Sequence, residues 1–146
     1  IAAAIEEWKL LKAAMLGGLA REALRLASAY ACERHAFGVP IGTFQALQHR
    51  MVDMVVAYEQ ARSMACLACS KVDSAADAGE RAHAVSAAKI KIADNARLIS
   101  QEAIQLHGGM GMSEELKVSH SFRRLTMIAQ QFGDADHHLE RFARHG

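Results

Sequence analysis

At 146 residues the chain fits one domain, long enough to bury a core without disulfides or a structural metal. Apolar residues make up 51%, yet only 5% are aromatic and one is proline, while alanine, leucine and methionine abound, a composition that favours helix over sheet. The formal net charge of +1, with both signs interspersed, argues against the basic stripe that nucleic-acid binding needs, and no apolar run of about 18 residues marks a membrane span.

The opening stretch Ile1 to Glu7 lacks both the basic n-region and the apolar run of a signal peptide. It already reads as helix and has no starting methionine, which suggests a chain that begins partway through a longer polypeptide. From about Ile5 to Cys32 the apolar positions Ile5, Trp8, Leu11, Met15, Leu19, Ala23, Leu26 and Tyr30 recur at steps of three or four, predicting a long amphipathic helix with these residues on one face. Gly38, Pro40 and Gly42 then punctuate a short loop from Ala36 to Thr43. A second stripe, Leu47, Met51, Met54, Tyr58, Ala61, Ala65, Ala68 and Val72, predicts a second long helix. The pattern dissolves between Ser74 and Gly79 and returns in a third: Val85, Ala88, Ile92, Ala96, Ile99, Ala103 and Leu106. The glycines of His107 to Met112 supply a helix cap and a loop, and Ser113 with Glu114 and Glu115 suggests a new helix start. The remainder reads as one or two shorter helices, roughly Glu114 to Gln131 and Ala135 to Arg144, broken at Gly133.

Three helices of nearly 30 residues each span about 40 Å, and short connections make sequential neighbours antiparallel. The expected fold is therefore all-α, an up-and-down four-helix bundle with a short extra C-terminal helix. No repeat, low-complexity tract or internal linker divides it, so residues 1–146 read as one domain.

Several constellations have competing readings. Cys32, Cys66 and Cys69 are odd in number and helical in context, which argues against a secreted disulfide framework and for a reducing cytoplasm. Cys66 and Cys69 form a C-x-x-C without a second pair; core cysteines are a better reading than a zinc site. Glu80 and His83 form one E-x-x-H unit, whereas a di-iron bundle needs two such units and two further glutamates, so a solvated helix start is preferred and no metal is expected. The seven methionines fall mostly on predicted core stripes. His137 and His138 point about 100° apart on a helix, so at most one faces a given site, His137 in preference.

Two segments carry a family resemblance. Arg34-His35-Ala36-Phe37-Gly38-Val39-Pro40-Ile41-Gly42-Thr43-Phe44-Gln45 closely resembles the R-x-x-F-G-x-P-I-x-x-F-Q signature of acyl-CoA dehydrogenases. Gln105-Leu106-His107-Gly108-Gly109-Met110-Gly111 resembles the family's Q-x-x-G-G-x-G segment, at the distance that two long intervening helices would give. The resemblance covers essentially the whole chain, as the family's C-terminal helical domain without its N-terminal helical and middle β-domains. Phe132 to Leu139, with Gln60 to Met64, further resembles the small subunit of pimeloyl-CoA dehydrogenase and related two-subunit enzymes.

The resemblance implies FAD as cofactor, with Arg34, Phe37 and Gln45 reaching the flavin of a neighbouring subunit. Arginine suits a diphosphate because its planar fork binds two oxygens and keeps its proton. Gln105, Gly108 and Gly109 map to residues that approach the same cofactor, and His137 is a further candidate contact. The implied reaction takes an acyl-CoA to its trans-2-enoyl product, with electrons passing to an electron-transfer flavoprotein. It needs a carboxylate to remove the α-proton while the β-hydride moves to flavin. The family's usual glutamate maps to Gly133, and the alternative site on the first helix maps to Trp8, with Glu7 one residue away. Asp134 is the substitute if the loop shifts. Arg124-Leu125 also departs from the usual arginine-aspartate pair. Two expectations follow: a catalytic chain whose base is Asp134, or a non-catalytic subunit or oligomerisation module. Both imply a homo- or hetero-oligomer, and in both the isolated fragment has little activity.

Overall fold

The computed structural model describes residues 2–75 and 77–144. Five helices follow one another: α1 (Ala2–Glu33), α2 (Gln45–Ser74), α3 (Ala78–His107), α4 (Lys117–Gln130) and α5 (Ala135–Arg144). The first four form the expected bundle and α5 is the short extra helix. Nothing in the described residues is long and apolar enough to cross a membrane as a helix.

The bundle is built around α3. Its stripe of Val85, Ala88, Ile92, Ala96, Ile99, Ala103 and Leu106 is buried as the periodicity predicts, and α1, α2, α4 and α5 all pack on it. On α2 the stripe also holds, with Met54, Ala61 and Ala68 buried. On α1 it does not. The buried face is Leu10, Ala13, Leu16, Ala20, Ala23, Ala27 and Ala31, whereas Ile5, Trp8, Leu11 and Met15 are exposed. The reason is steric: small side chains let two long helices approach closely, so the alanine seam takes the core and the bulky stripe is left outside.

Other sequence expectations are corrected. The connection after α1 is structured: His35–Ala36 (β1) pairs antiparallel with Val39–Pro40 (β2), and a 3-10 turn covers Ile41–Thr43. Phe37 and Gly38 both have positive φ, 55° and 84°, as a two-residue hairpin loop requires. The fourth helix starts at Lys117 after a cap at Leu116, not at Ser113, which ends the 3-10 turn Gly108–Met112. Cys66 and Cys69 are exposed rather than core, as is Cys32, and all three are free. Of the methionines only Met54 is fully buried; Met110, Met112 and Met127 are exposed. Glu80 pairs with Lys71 at 2.7 Å and His83 stacks on Phe142, so the E-x-x-H unit is engaged in the fold.

Replacing Ile99 by alanine in the centre of α3 should cost about 2–5 kcal/mol in urea unfolding of this chain. Leu11→Ala, on the exposed stripe of α1, should cost less than about 0.5 kcal/mol.

Candidate functional site

The ends of α1 and α3 meet at one end of the bundle. The buried His107 ring stacks on Tyr30 with centroids 4.3 Å apart, and its Nδ1–H donates to the Ala103 carbonyl at 2.7 Å. Gly42 packs on Ala31, where a Cβ would lie 3.0 Å from the Ala31 oxygen. These contacts bring the hairpin beside the glycine turn. An open groove results, lined by Tyr30, Arg34, Gln105, His107, Gly108 and Gly109 among others. Arg34, Gln105, Gly108 and Gly109, far apart in sequence, therefore share one surface. Arg34 is exposed, and among the described residues its guanidinium has no carboxylate partner.

Phe37 and Gln45 lie outside this groove. Phe37 sits at the hairpin tip, 97% exposed, its ring edge-on to Phe44 at 6.2 Å. The two-residue hairpin holds this phenylalanine in left-handed backbone, at a cost on the order of 1 kcal/mol. Gln45 is exposed at the start of α2.

The three glycines of the turn differ in what their own chain demands. Gly108 has φ 61° and ends α3. A Cβ on Gly111 would lie 2.6 Å from the Ile104 oxygen. Gly109 has an ordinary φ and a Cβ there would meet nothing within 4 Å, so the fold leaves open space that an incoming group can use.

The second candidate region lies further back along α3. Asp134 lines a cavity of about 210 Å³ with Arg97, Ser100, Leu125, Gln130 and Asp136 among others. Arg97 is paired with Asp94 at 2.7 Å on the rim. Ser100 and Gln105 are five residues apart on α3, about 7.5 Å along the axis at 1.5 Å per residue. The cavity and the groove are therefore separate places on this chain. Asp134 has a task in the fold: its Oδ1 accepts from the His137 amide at 2.9 Å, capping α5. Gly133 has φ 102°, and a Cβ there would collide with the His137 ring. Leu125 is a core residue, which accounts for an apolar side chain where the resemblance leads one to expect an aspartate. His137 is exposed and packs beside Gly133 instead of reaching the groove.

Periodicity gave no warning of two buried polar side chains, one cationic and one neutral, beneath this loop. Lys89, 1% exposed, donates to the Ala129 and Ile128 carbonyls at the end of α4, at 3.1 and 3.4 Å. Burial pushes its ammonium down to about 8, against the pull of Asp134 and helped by Lys12. His138 is fully buried. Burial pushes it down to about 4, with His137, Lys89 and Lys9 adding repulsion and its bond to the Phe132 carbonyl opposing. Glu6, held below the usual carboxylate range by Arg141 and Lys9 in spite of burial, pairs with Arg141 at 2.6 Å. The signal available in the sequence was a lysine and a histidine at core positions of helical stripes.

Known proteins resemble the chain over nearly its whole length. The family model described as the acyl-CoA dehydrogenase C-terminal domain matches residues 1–146. Acyl-CoA dehydrogenase IpdE2 of Mycolicibacterium smegmatis is 35% identical over 132 residues, covering 90% of this chain and 40% of that protein. An acyl-CoA dehydrogenase structure from Geobacillus kaustophilus superposes with a TM-score of 0.89 at 26% identity, over 96% of this chain and 36% of that one. The FAD complex of PigA superposes at 0.81 with 30% identity, over 90% and 34%. The chain thus spans well under half the length of these relatives.

Gly111→Ala should destabilise by about 1–3 kcal/mol, while Gly109→Ala should leave thermal unfolding within about 0.5 kcal/mol. The pH dependence follows from the two buried titratable groups, His138 and Lys89. Below pH 6.5 the unfolded chain takes up a proton that folded His138 refuses, so stability is complete above that pH and falls as pH drops toward 4. The loss is on the order of 3 kcal/mol. Glu6 adds its own loss only below its ordinary value of 4.5. Lys89 acts in the alkaline range: between pH 8 and 10.5 the unfolded chain holds the proton that the folded one releases, so this group makes stability rise. Urea titrations across pH should show both slopes, and His138→Gln should flatten the acid one.

Proposed function

We propose, from the premise that this chain belongs to the acyl-CoA dehydrogenase family as its C-terminal domain, that it is the flavin-binding and oligomerisation bundle of a full-length FAD-dependent dehydrogenase. The enzyme acts on an acyl-CoA thioester and yields a trans-2-enoyl-CoA, with an electron-transfer flavoprotein as acceptor. The observation that carries this reading is the groove in which an unpaired Arg34 guanidinium faces the glycine turn, with open space above Gly109.

That groove fits a diphosphate. Arg34 offers two parallel donors to phosphate oxygens, and Gly109 lets a ligand approach the backbone. Gln105 adds an amide, and the exposed Phe37 ring and Gln45 extend the contact toward a neighbouring subunit's cofactor. FAD supplies the hydride acceptor when bound. His137 is proposed as a further contact through the Asp134 loop, not through the groove. The exposed Trp8 and Leu11 of α1 and Val52, Val55 and Val56 of α2 are the apolar surfaces assigned to the rest of the enzyme and to other subunits, homo- or heteromeric.

For the α-proton, Asp134 is the carboxylate at hand. It borders the cavity, and only its Oδ1 carries a hydrogen bond among the described residues, leaving Oδ2 for a proton. A second reading has its own support: the glutamate position is a glycine that its own loop requires, and Asp134 already caps a helix. On that reading the chain is a supporting subunit whose partner provides the base.

Asp134→Asn separates the two, because asparagine caps a helix about as well while removing the carboxylate. In the full-length protein, co-expressed with any adjacent dehydrogenase-like partner, full flavin occupancy with acyl-CoA-dependent bleaching abolished by Asp134→Asn makes this chain catalytic. Half occupancy and indifference to the substitution make it the supporting partner. Arg34→Lys should weaken flavin retention by about tenfold or more, since an ammonium cannot reproduce the bidentate contact.

A further inference from the structure

The turn that carries Asp134 is strained and held from beneath. Phe132 has φ 60° and Gly133 φ 102°, two successive left-handed residues, the first of them bulky and half exposed. Such a pair persists only if its surroundings fix it. Two side chains do so. Lys89 takes the last carbonyls of α4 just before the turn, and His138 takes the carbonyl of Phe132 within it, at 3.0 Å.

The tautomer of His138 follows from its partners. A carbonyl only accepts, so Nε2 carries the proton. Nδ1, 3.3 Å from Ser86 Oγ, is then the acceptor, and the Ser86 hydroxyl donates to it. Ser86 in turn accepts from Arg141 Nη1 at 3.0 Å, and Arg141 is anchored by Glu6. The charge of the guanidinium thus polarises Ser86 toward the ring and orients Nε2–H at the turn. The groups facing His138 from the elements packed around it are Lys9 and Glu6 on α1, Lys89 on α3, His137 and Arg141 on α5, and Asp134 in the turn.

We propose that His138, as the neutral Nε2–H tautomer fixed by Ser86 and Arg141, is a positioning residue that holds the Phe132–Gly133 turn and thereby sets where the Asp134 carboxylate stands at the cavity. His138 does not touch substrate or cofactor in this assignment; it acts through the turn. For its effect on rate the inference rests on the reading of Asp134 as the base, but the placing of the turn does not.

Two polar replacements distinguish positioning from mere packing. Glutamine brings a donor to the place of Nε2 and reaches Phe132; asparagine reaches only the place of Nδ1. In the full-length flavoenzyme, hydrogen exchange of the 131–138 segment is measured by mass spectrometry alongside anaerobic flavin bleaching by an acyl-CoA thioester. In the wild type the segment should be protected at least about a hundredfold. His138→Gln should keep protection within about threefold, while His138→Asn should exchange about tenfold faster or more. The bleaching rate should fall about 10²-fold in His138→Asn, with flavin content and acyl-CoA affinity unchanged, and largely recover in His138→Gln. An unprotected segment in the wild type overturns the proposal, whether or not the variants fold, and so do Gln and Asn variants that behave alike in exchange. If Asp134→Asn bleaches like the wild type, the reading of Asp134 as base falls, and the exchange contrast alone then decides the role of His138.

Discussion

A helix that packs against every other helix must settle its buried polar atoms with them, and α3 does this chiefly through Asn95, Lys89 and Ser86. Asn95 donates to the Ala57 carbonyl of α2 at 2.8 Å. Lys89 donates to the end of α4 and Ser86 joins Arg141 and His138 of α5, while His107 bonds within α3, to the Ala103 carbonyl, and only stacks its ring on Tyr30 of α1. An unpaired buried group costs about 1–3 kcal/mol, so each of these bonds penalises any other register of its partner helix. The apolar stripe drives the packing without direction. The polar residues set into it give each neighbour its place.

Both candidate regions inherit their geometry from that arrangement. The groove exists because α1 and α3 end at the same level, tied by the Tyr30–His107 stack and by the close approach of Gly42 to Ala31. The cavity exists because α4 stops on Lys89 and the turn after it stops on His138. Site residues separated by some 70 positions in sequence, Arg34 and Gln105, become neighbours without any bond between them.

The helices were legible in the sequence wherever one face is buried and the other wet. The second and third stripes are the clearest, because their buried positions recur at steps of three or four against a wet face. On α1 the same period misled about which face is inside. Ile5, Trp8, Leu11 and Met15 look like a core stripe, but alanines allow closer helix approach, and periodicity weighs bulk rather than fit. The two motifs hold Arg34, Gln105, Gly108 and Gly109, which the fold brings to one groove because their spacing spans two helix lengths. The cap formed by Asp134, the bonds of Lys89 and the ring of His138 were not legible. They depend on which residues meet across helices, and sequence spacing carries that only when a motif already records it.

Gly133 is bound up with its surroundings. At φ 102° the backbone favours glycine, and a Cβ there would strain the turn and push the exposed His137 ring aside. The shape of the turn is fixed by Asp134 capping α5 and by His138 holding the Phe132 carbonyl. Asp134, one residue on, has no such strain: its backbone leaves the left-handed region, its Oδ1 caps α5 and the residue borders the cavity.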